Sequence, residues 1–151
     1  GLINFNPDEE ELAMETYRTW AHLFELLRYY SWMVDRFHLS TIMYQWMEHQ
    51  KHYDFTWLEE RLLALNFRLV FCTRSEDSFK VAREERLKVS GNPTQYDDLG
   101  KFIEEQACMH ELVATSRLPS VEVDVSDDNV NRVVDTIADW LRASGGLYIN
   151  D

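Results

Sequence analysis

Apolar residues recur along the chain with two different periods, and the order in which those periods alternate predicts the architecture. Leu12, Tyr17, Trp20, Leu23, Phe24 and Leu27 return at helical spacing over a broad face, and Asn6-Pro7-Asp8-Glu9 stands before them. Asn suits an N-cap, Pro the first helical position, and acids the positive end of the helix dipole, so a helix is predicted over 7–28. Leu2-Ile3-Asn4-Phe5 ahead of it reads as a strand end. The aromatic and β-branched stretch 29–34 (YYSWMV) predicts a strand ending at Asp35. Helical periodicity returns over 40–50, and Thr56-Trp57-Leu58-Glu59 has the pattern of a capping box opening a short helix to Leu65. The run FRLVFCT, 67–73, is nearly all apolar, as in a strand covered on both faces of a parallel sheet. Ser75 caps a predicted helix to about residue 89, which Ser90-Gly91-Asn92-Pro93 breaks. A long helix is predicted over 96–116 and an alternating strand over 121–125. Ser126-Asp127-Asp128 then opens a last helix to Ala143, closed by Gly145-Gly146.

Strand, helix, strand, helices, strand, helices, strand, helix is the alternation of an α/β layered domain with a largely parallel sheet. An all-helical bundle is the rival, since helices dominate by length, and FRLVFCT and SVEVDV argue against it. The 151 residues fit a single domain over 1–151. The aromatic content, 13%, is too high for a disordered chain despite a net charge of −12. That charge disfavours non-specific attachment to nucleic acid backbones or anionic membranes. No apolar run reaches bilayer length and no signal peptide is visible, so the expected compartment is the cytoplasm. Cys72 and Cys108 are expected to be buried free thiols, Cys72 an inert core residue. Five glycines, at 1, 91, 100, 145 and 146, are placed so that no Gly-rich phosphate loop is possible.

Ligands of open parallel sheets sit at the carboxyl ends of strands, which draws attention to polar residues there. Asp35-Arg36 pairs a hard oxygen, suited to Mg²⁺ or a proton, with a planar fork suited to phosphate; a structural ion pair is the alternative. Arg83 and Arg86 share a helix face, where two guanidinium groups suit an intervening phosphoryl group; with Glu84 and Glu85 alongside, a salt-bridged exposed helix is the alternative. His49 and His52 have metal-ligand spacing, but no Cys or Asp completes a site with them. The acids 8–11 satisfy a helix start, and Asp124, Asp127 and Asp128 cap a helix or border a base.

The segment VDRFHLSTIMYQ resembles the Asp-Arg-Tyr/Phe…Ser…Tyr-Gln segment of thymidylate kinase-like P-loop kinases. The downstream order matches as well: a strand, a helix with Arg-x-x-Arg serving as a lid (about 83–96), a long helix, a strand and a final helix. The resemblance implies a three-layer P-loop kinase-like domain that moves the γ-phosphoryl group of ATP, with Mg²⁺, to a nucleoside, nucleotide or modified-base acceptor. It implies Asp35 near Mg²⁺ and the acceptor, and Arg36 on the acceptor or its phosphate. Ser40, Tyr44 and Gln45 would line the acceptor pocket, Gln45 reading a base edge, with Phe5 beside them. Arg83 and Arg86 would close over the transferring phosphate. Arg74 would lie on the donor side, with Ser126 and Asp127 near the donor adenine. Nucleic acid enters only as a modified-base substrate.

Members of that family open with a strand and a Gly-x-x-x-x-Gly-Lys-Ser/Thr loop that cradles the donor phosphates. Neither is in this sequence. In the family the missing strand lies centrally, between the Asp-Arg strand and the one matching FRLVFCT. The expectation is therefore a fragment of a longer kinase. The alternatives are a partner chain or homodimer that supplies the strand, or an acidic interaction protein without catalysis.

Overall fold

The computed structural model describes residues 3–91, 94 and 97–146. A 3-10 turn, Pro7–Glu9, leads into helix α1 (Glu10–Leu26), followed by α2 (His38–His49), α3 (Thr56–Ala64), strand β1 (Leu69–Thr73), α4 (Glu76–Leu87), α5 (Leu99–Thr115), β2 (Ser120–Asp124) and α6 (Val130–Ala143). The chain divides into two compact units, one made of the described residues in 1–68 and 111–119, the other of those in 69–110 and 120–151. No helix among the described residues is long and apolar enough to cross a membrane.

In the first unit, α1 buries Ala13, Tyr17, Ala21 and Phe24, a stripe at helical spacing in which the two alanines admit close neighbours. Leu12 and Trp20, expected on the buried face, fall off this stripe and are exposed. Phe24 is the hub of an aromatic cluster with Trp20, Trp32, Phe37 and Phe67 at centroid distances of 5.7, 5.1, 6.1 and 5.0 Å. At the helix start the Asn6 carbonyl accepts from Glu9 N–H, while the Glu9 carboxylate reaches back to cap Asn6 N–H at 2.8 Å. Helix α2 is unusual in burying polar residues, His38, Ser40, Thr41 and Gln45, beside Leu39 and Met43.

Three sequence expectations fail in this unit. Residues 29–34 do not form a strand. Trp32 docks on Phe24 and donates its indole N–H to the Leu27 carbonyl at 3.3 Å, but the main chain of Ser31–Val34 has no hydrogen-bond partner among the described residues. Strand propensity yields a strand only where a neighbour takes the ladder bonds. Tyr29, Tyr30 and Met33 consequently stand exposed. The predicted capping box at Thr56 is also absent: Asp54 accepts from Thr56 N–H at 2.8 Å, which frees Glu59 for other partners. Ile3 and Asn4 enter no strand, and Leu2 lies outside the described residues.

In the second unit, β1 and β2 are parallel neighbours, with Leu69 opposite Ser120 and Thr73 opposite Asp124. This pairing excludes an all-helical bundle; the protein is helix-rich with a small parallel sheet, as an α/β fold requires. The expectation that FRLVFCT is covered on both faces does not hold. Val70 and Cys72 are exposed while Leu69 and Phe71 are half-buried and Thr73 is buried. Helices or loops, not neighbouring strands, cover the faces of a sheet, and this two-stranded sheet also keeps one unpaired edge on each strand among the described residues. Neither α5 nor α6 buries any described residue fully, and the α6 apolar stripe leaves Val130 and Val134 open. Cys72 is thus not an inert core thiol, and Cys108 is half-buried. Titration with a thiol reagent under native conditions is expected to modify Cys72 well before Cys108; equally slow reaction of both would contradict the open face.

Helix boundaries differ by short steps. Helix α4 stops at Leu87, before Val89, and α5 begins at Leu99; Asn92, Pro93 and Tyr96 lie outside the described residues. Asn129 rather than Ser126 caps α6, accepting from Arg132 N–H at 3.1 Å. As expected, Gly145 closes α6 in the left-handed region, φ 69°, where Gly146 N–H reaches the Leu141 carbonyl at 2.8 Å.

Candidate functional site

The carboxyl ends of β1 and β2 lie side by side, and the residues that leave them form a connected polar cluster. Arg74 follows β1, and its main-chain N–H and C=O are both taken by the Gln106 carboxamide of α5, at 2.8 and 2.9 Å. Gln106 thereby acts as a one-residue strand neighbour. The Arg74 guanidinium pairs with Asp128, while its Nη1 is buried without a partner. Ser126 Oγ accepts from Ser75 N–H at 2.8 Å, and Asp124 accepts from Ser126 N–H at 2.8 Å. Asp127 is gripped by Arg132 through Nε and Nη2, both at 2.9 Å. Arg132 is the chief reason the Asp127 carboxyl is lowered to about 2. Asp128 holds the left-handed region, φ 51°, tolerable for an Asp in a tight turn. The three donor-side residues of the sequence analysis, Arg74, Ser126 and Asp127, are therefore brought together in one strand-end cluster.

The residues expected at the acceptor lie in the first unit. Asp35 and Arg36 are exposed and make no hydrogen bond or ion pair among the described residues. Arg36 holds the left-handed region, φ 61°, one residue before the N-cap of α2. That conformation is costly for a residue with a long side chain and tends to persist where its surroundings enforce it. Ser40 is buried and Tyr44 half-buried on α2. Phe5 and Gln45 do meet: Gln45 Nε2 donates to the Phe5 carbonyl at 2.9 Å and the Ile3 carbonyl at 3.3 Å. Both side chains are buried, and Gln45 Oε1 is left without a partner. An open depression exists elsewhere in this unit, lined by Pro7, Asp8, Glu10, Glu11, Met14 and Arg18.

Arg83 and Arg86 both lie on α4. Arg83 pairs with Asp97 at 2.9 Å, an exposed bridge of the kind that adds little stability and leaves the guanidinium available for exchange. Arg86 is exposed and is also engaged.

Sequence reasoning missed a buried carboxylate with three partners. Glu59, exposed by only 8%, accepts from His38 Nε2 at 3.1 Å, Ser116 Oγ at 2.6 Å and Arg117 N–H at 2.9 Å. Burial works against its charge, but the His38, Arg117 and Ser116 donors overcome it and hold the carboxyl down at about 2. Its membership in an apparent capping box hid this role. The signal available was a lone His just ahead of the predicted helix 40–50.

As for the implied cofactors, no group of three or more His, Cys, Asp or Glu among the described residues is arranged to hold a metal ion. One carboxylate such as Asp35 suffices for Mg²⁺ only when substrate phosphates supply further ligands. The loop that would cradle those phosphates is not in these 151 residues, so a complete Mg–ATP site does not fit this chain alone. A scan against family models found no match, and no curated protein and no solved structure matched the chain either.

Proposed function

We propose that this chain is part of a phosphotransferase of the thymidylate kinase-like class, which moves the γ-phosphoryl group of ATP to a nucleoside, a nucleotide or a base-modified nucleotide. The observation that carries the reading is the convergence of Arg74, Ser126 and Asp127 at the carboxyl ends of two adjacent parallel strands, where ligands of such sheets bind. The exposed, unpartnered Asp35–Arg36 pair supports it from the acceptor side. Arg74 would serve the donor, Ser126 and Asp127 the adenine, Arg36 the acceptor phosphate, and Arg83 and Arg86 the phosphate in transit. The transfer step itself is left to the phosphate loop these residues lack.

The strand edges unpaired among the described residues and the exposed apolar face of the second unit favour a sheet completed by further pairing. That completion would come from another part of the same polypeptide, a second copy or a different chain. ATP turnover is expected to be negligible for the 151-residue chain and measurable once a strand and phosphate loop are fused or added in trans. Robust turnover by the chain alone would contradict the division of labour, and binding of neither nucleotide nor phosphate in any form would favour an acidic interaction protein.

A further inference from the structure

The core face of α2 is polar, which costs more than an apolar face unless every group is directed to a partner. Three of its four buried polar residues, those at 38, 41 and 45, are each tied to a different segment of the first unit. His38 meets Glu59 of α3, the Thr41 hydroxyl meets Tyr17 of α1 at 2.5 Å, and Gln45 holds the main chain at Phe5. Burial raises the Tyr17 hydroxyl to about 12, so it stays protonated and able to donate. Three directional tethers on one helix fix both its rotation and its position along its axis, which apolar contacts fix far less sharply. A buried His–Glu pair adds little net stability over apolar residues of the same volume, and here His38 Nδ1 remains unpartnered. Its benefit is therefore geometric. The tether nearest Asp35–Arg36 is His38, two residues past Arg36, and Glu59 anchors it again to Ser116 and Arg117.

We propose that His38 and Glu59 are positioning residues: their buried pair sets the N-terminal turn of α2 and so holds Arg36 in its left-handed conformation with Asp35 presented beside it. This rests on the reading above only in what Asp35 and Arg36 are presented to. Phe37 also anchors the segment through its ring contacts with Tyr17 and Phe24, but a ring contact does not fix the rotation of the helix end. Gln places an amide N–H where His38 carries Nε2–H, so H38Q keeps the tether, whereas H38A and E59Q lose it or its charge.

Backbone ¹⁵N relaxation of the whole chain tests this without a ligand. Order parameters at Asp35, Arg36 and Phe37 are expected to fall from about 0.85 to below about 0.6 in H38A and E59Q, while the interior of α2 and all of H38Q stay near the parent values. L62A, a core change in α3, serves as the control for general destabilisation and is expected to leave residues 35–37 ordered. Unchanged order at 35–37 in both H38A and E59Q would overturn the proposal, as would an equal loss in L62A. Calorimetry with a nucleoside monophosphate is a separate arm. Binding weakened about tenfold in H38A and restored in H38Q would support the positioning role. Parent protein that binds no nucleotide, together with the expected relaxation change, would overturn the kinase reading and leave the positioning role standing.

Discussion

Replacing Phe24 by alanine is expected to destabilise the first unit by about 3–5 kcal/mol, the usual cost of removing a buried aromatic ring from a core that cannot close over the gap. Phe24 is 1% exposed and touches four aromatic partners, three of them outside α1: Trp32 in the loop, Phe37 just before α2 and Phe67 ahead of β1. Such a cluster is rigid, and its rings cannot collapse into the vacated space without giving up their own edge-to-face geometry. Equilibrium unfolding in urea, followed by tryptophan fluorescence, reads the effect, because Trp20, Trp32, Trp46 and Trp57 all lie in this unit. A loss under about 1 kcal/mol would show that the cluster is not the packing centre described here.

Replacing Glu59 by glutamine is expected to cost about 3 kcal/mol at neutral pH, since it removes the charge from a buried pair and, with its oxygen kept towards His38 and Ser116, opposes an amide N–H to the Arg117 N–H. The same carboxylate governs acid behaviour. Its folded value is depressed to about 2 from an ordinary value of 4.5, so its contribution is fully present above about pH 4.5 and is lost as pH falls towards 2. The parent protein should therefore lose stability steeply across that window and E59Q more shallowly, with the two curves converging near pH 2. Parallel curves in a pH series of urea titrations would contradict the assignment.

These two residues show what the sequence discloses and what it hides. Apolar spacing, capping residues and Gly/Pro breakers together found every helix that the described residues contain, because each leaves its mark within a few residues of chain. The two strands that exist were also legible, FRLVFCT and SVEVDV, as was the closing role of Gly145. The failed strand at 29–34 and the uncovered face of β1 have a common cause: whether an apolar run becomes a covered strand depends on partners far away in the chain or outside it. On the site, the resemblance singled out Arg74, Ser126 and Asp127, and the structure sets them at the carboxyl ends of β1 and β2. The resemblance gave no view of Gln106, which completes the Arg74 backbone from α5, or of Asp128 on the guanidinium. Glu59 was misread because a Thr-x-x-Glu spacing fits a helix cap as well as a long-range tether, and only the fold separates the two.

Amide shift mapping of the ¹⁵N-labelled chain during titration with ATP, and separately with a nucleoside monophosphate, tests the functional reading most directly. The reading predicts that ATP perturbs Arg74, Ser126 and Asp127 at the strand ends, and that the monophosphate perturbs Asp35, Arg36 and Tyr44, with R36A abolishing the second set alone. Titrations that leave both groups of amides unmoved at millimolar ligand, or that move only unrelated surface residues, would contradict it.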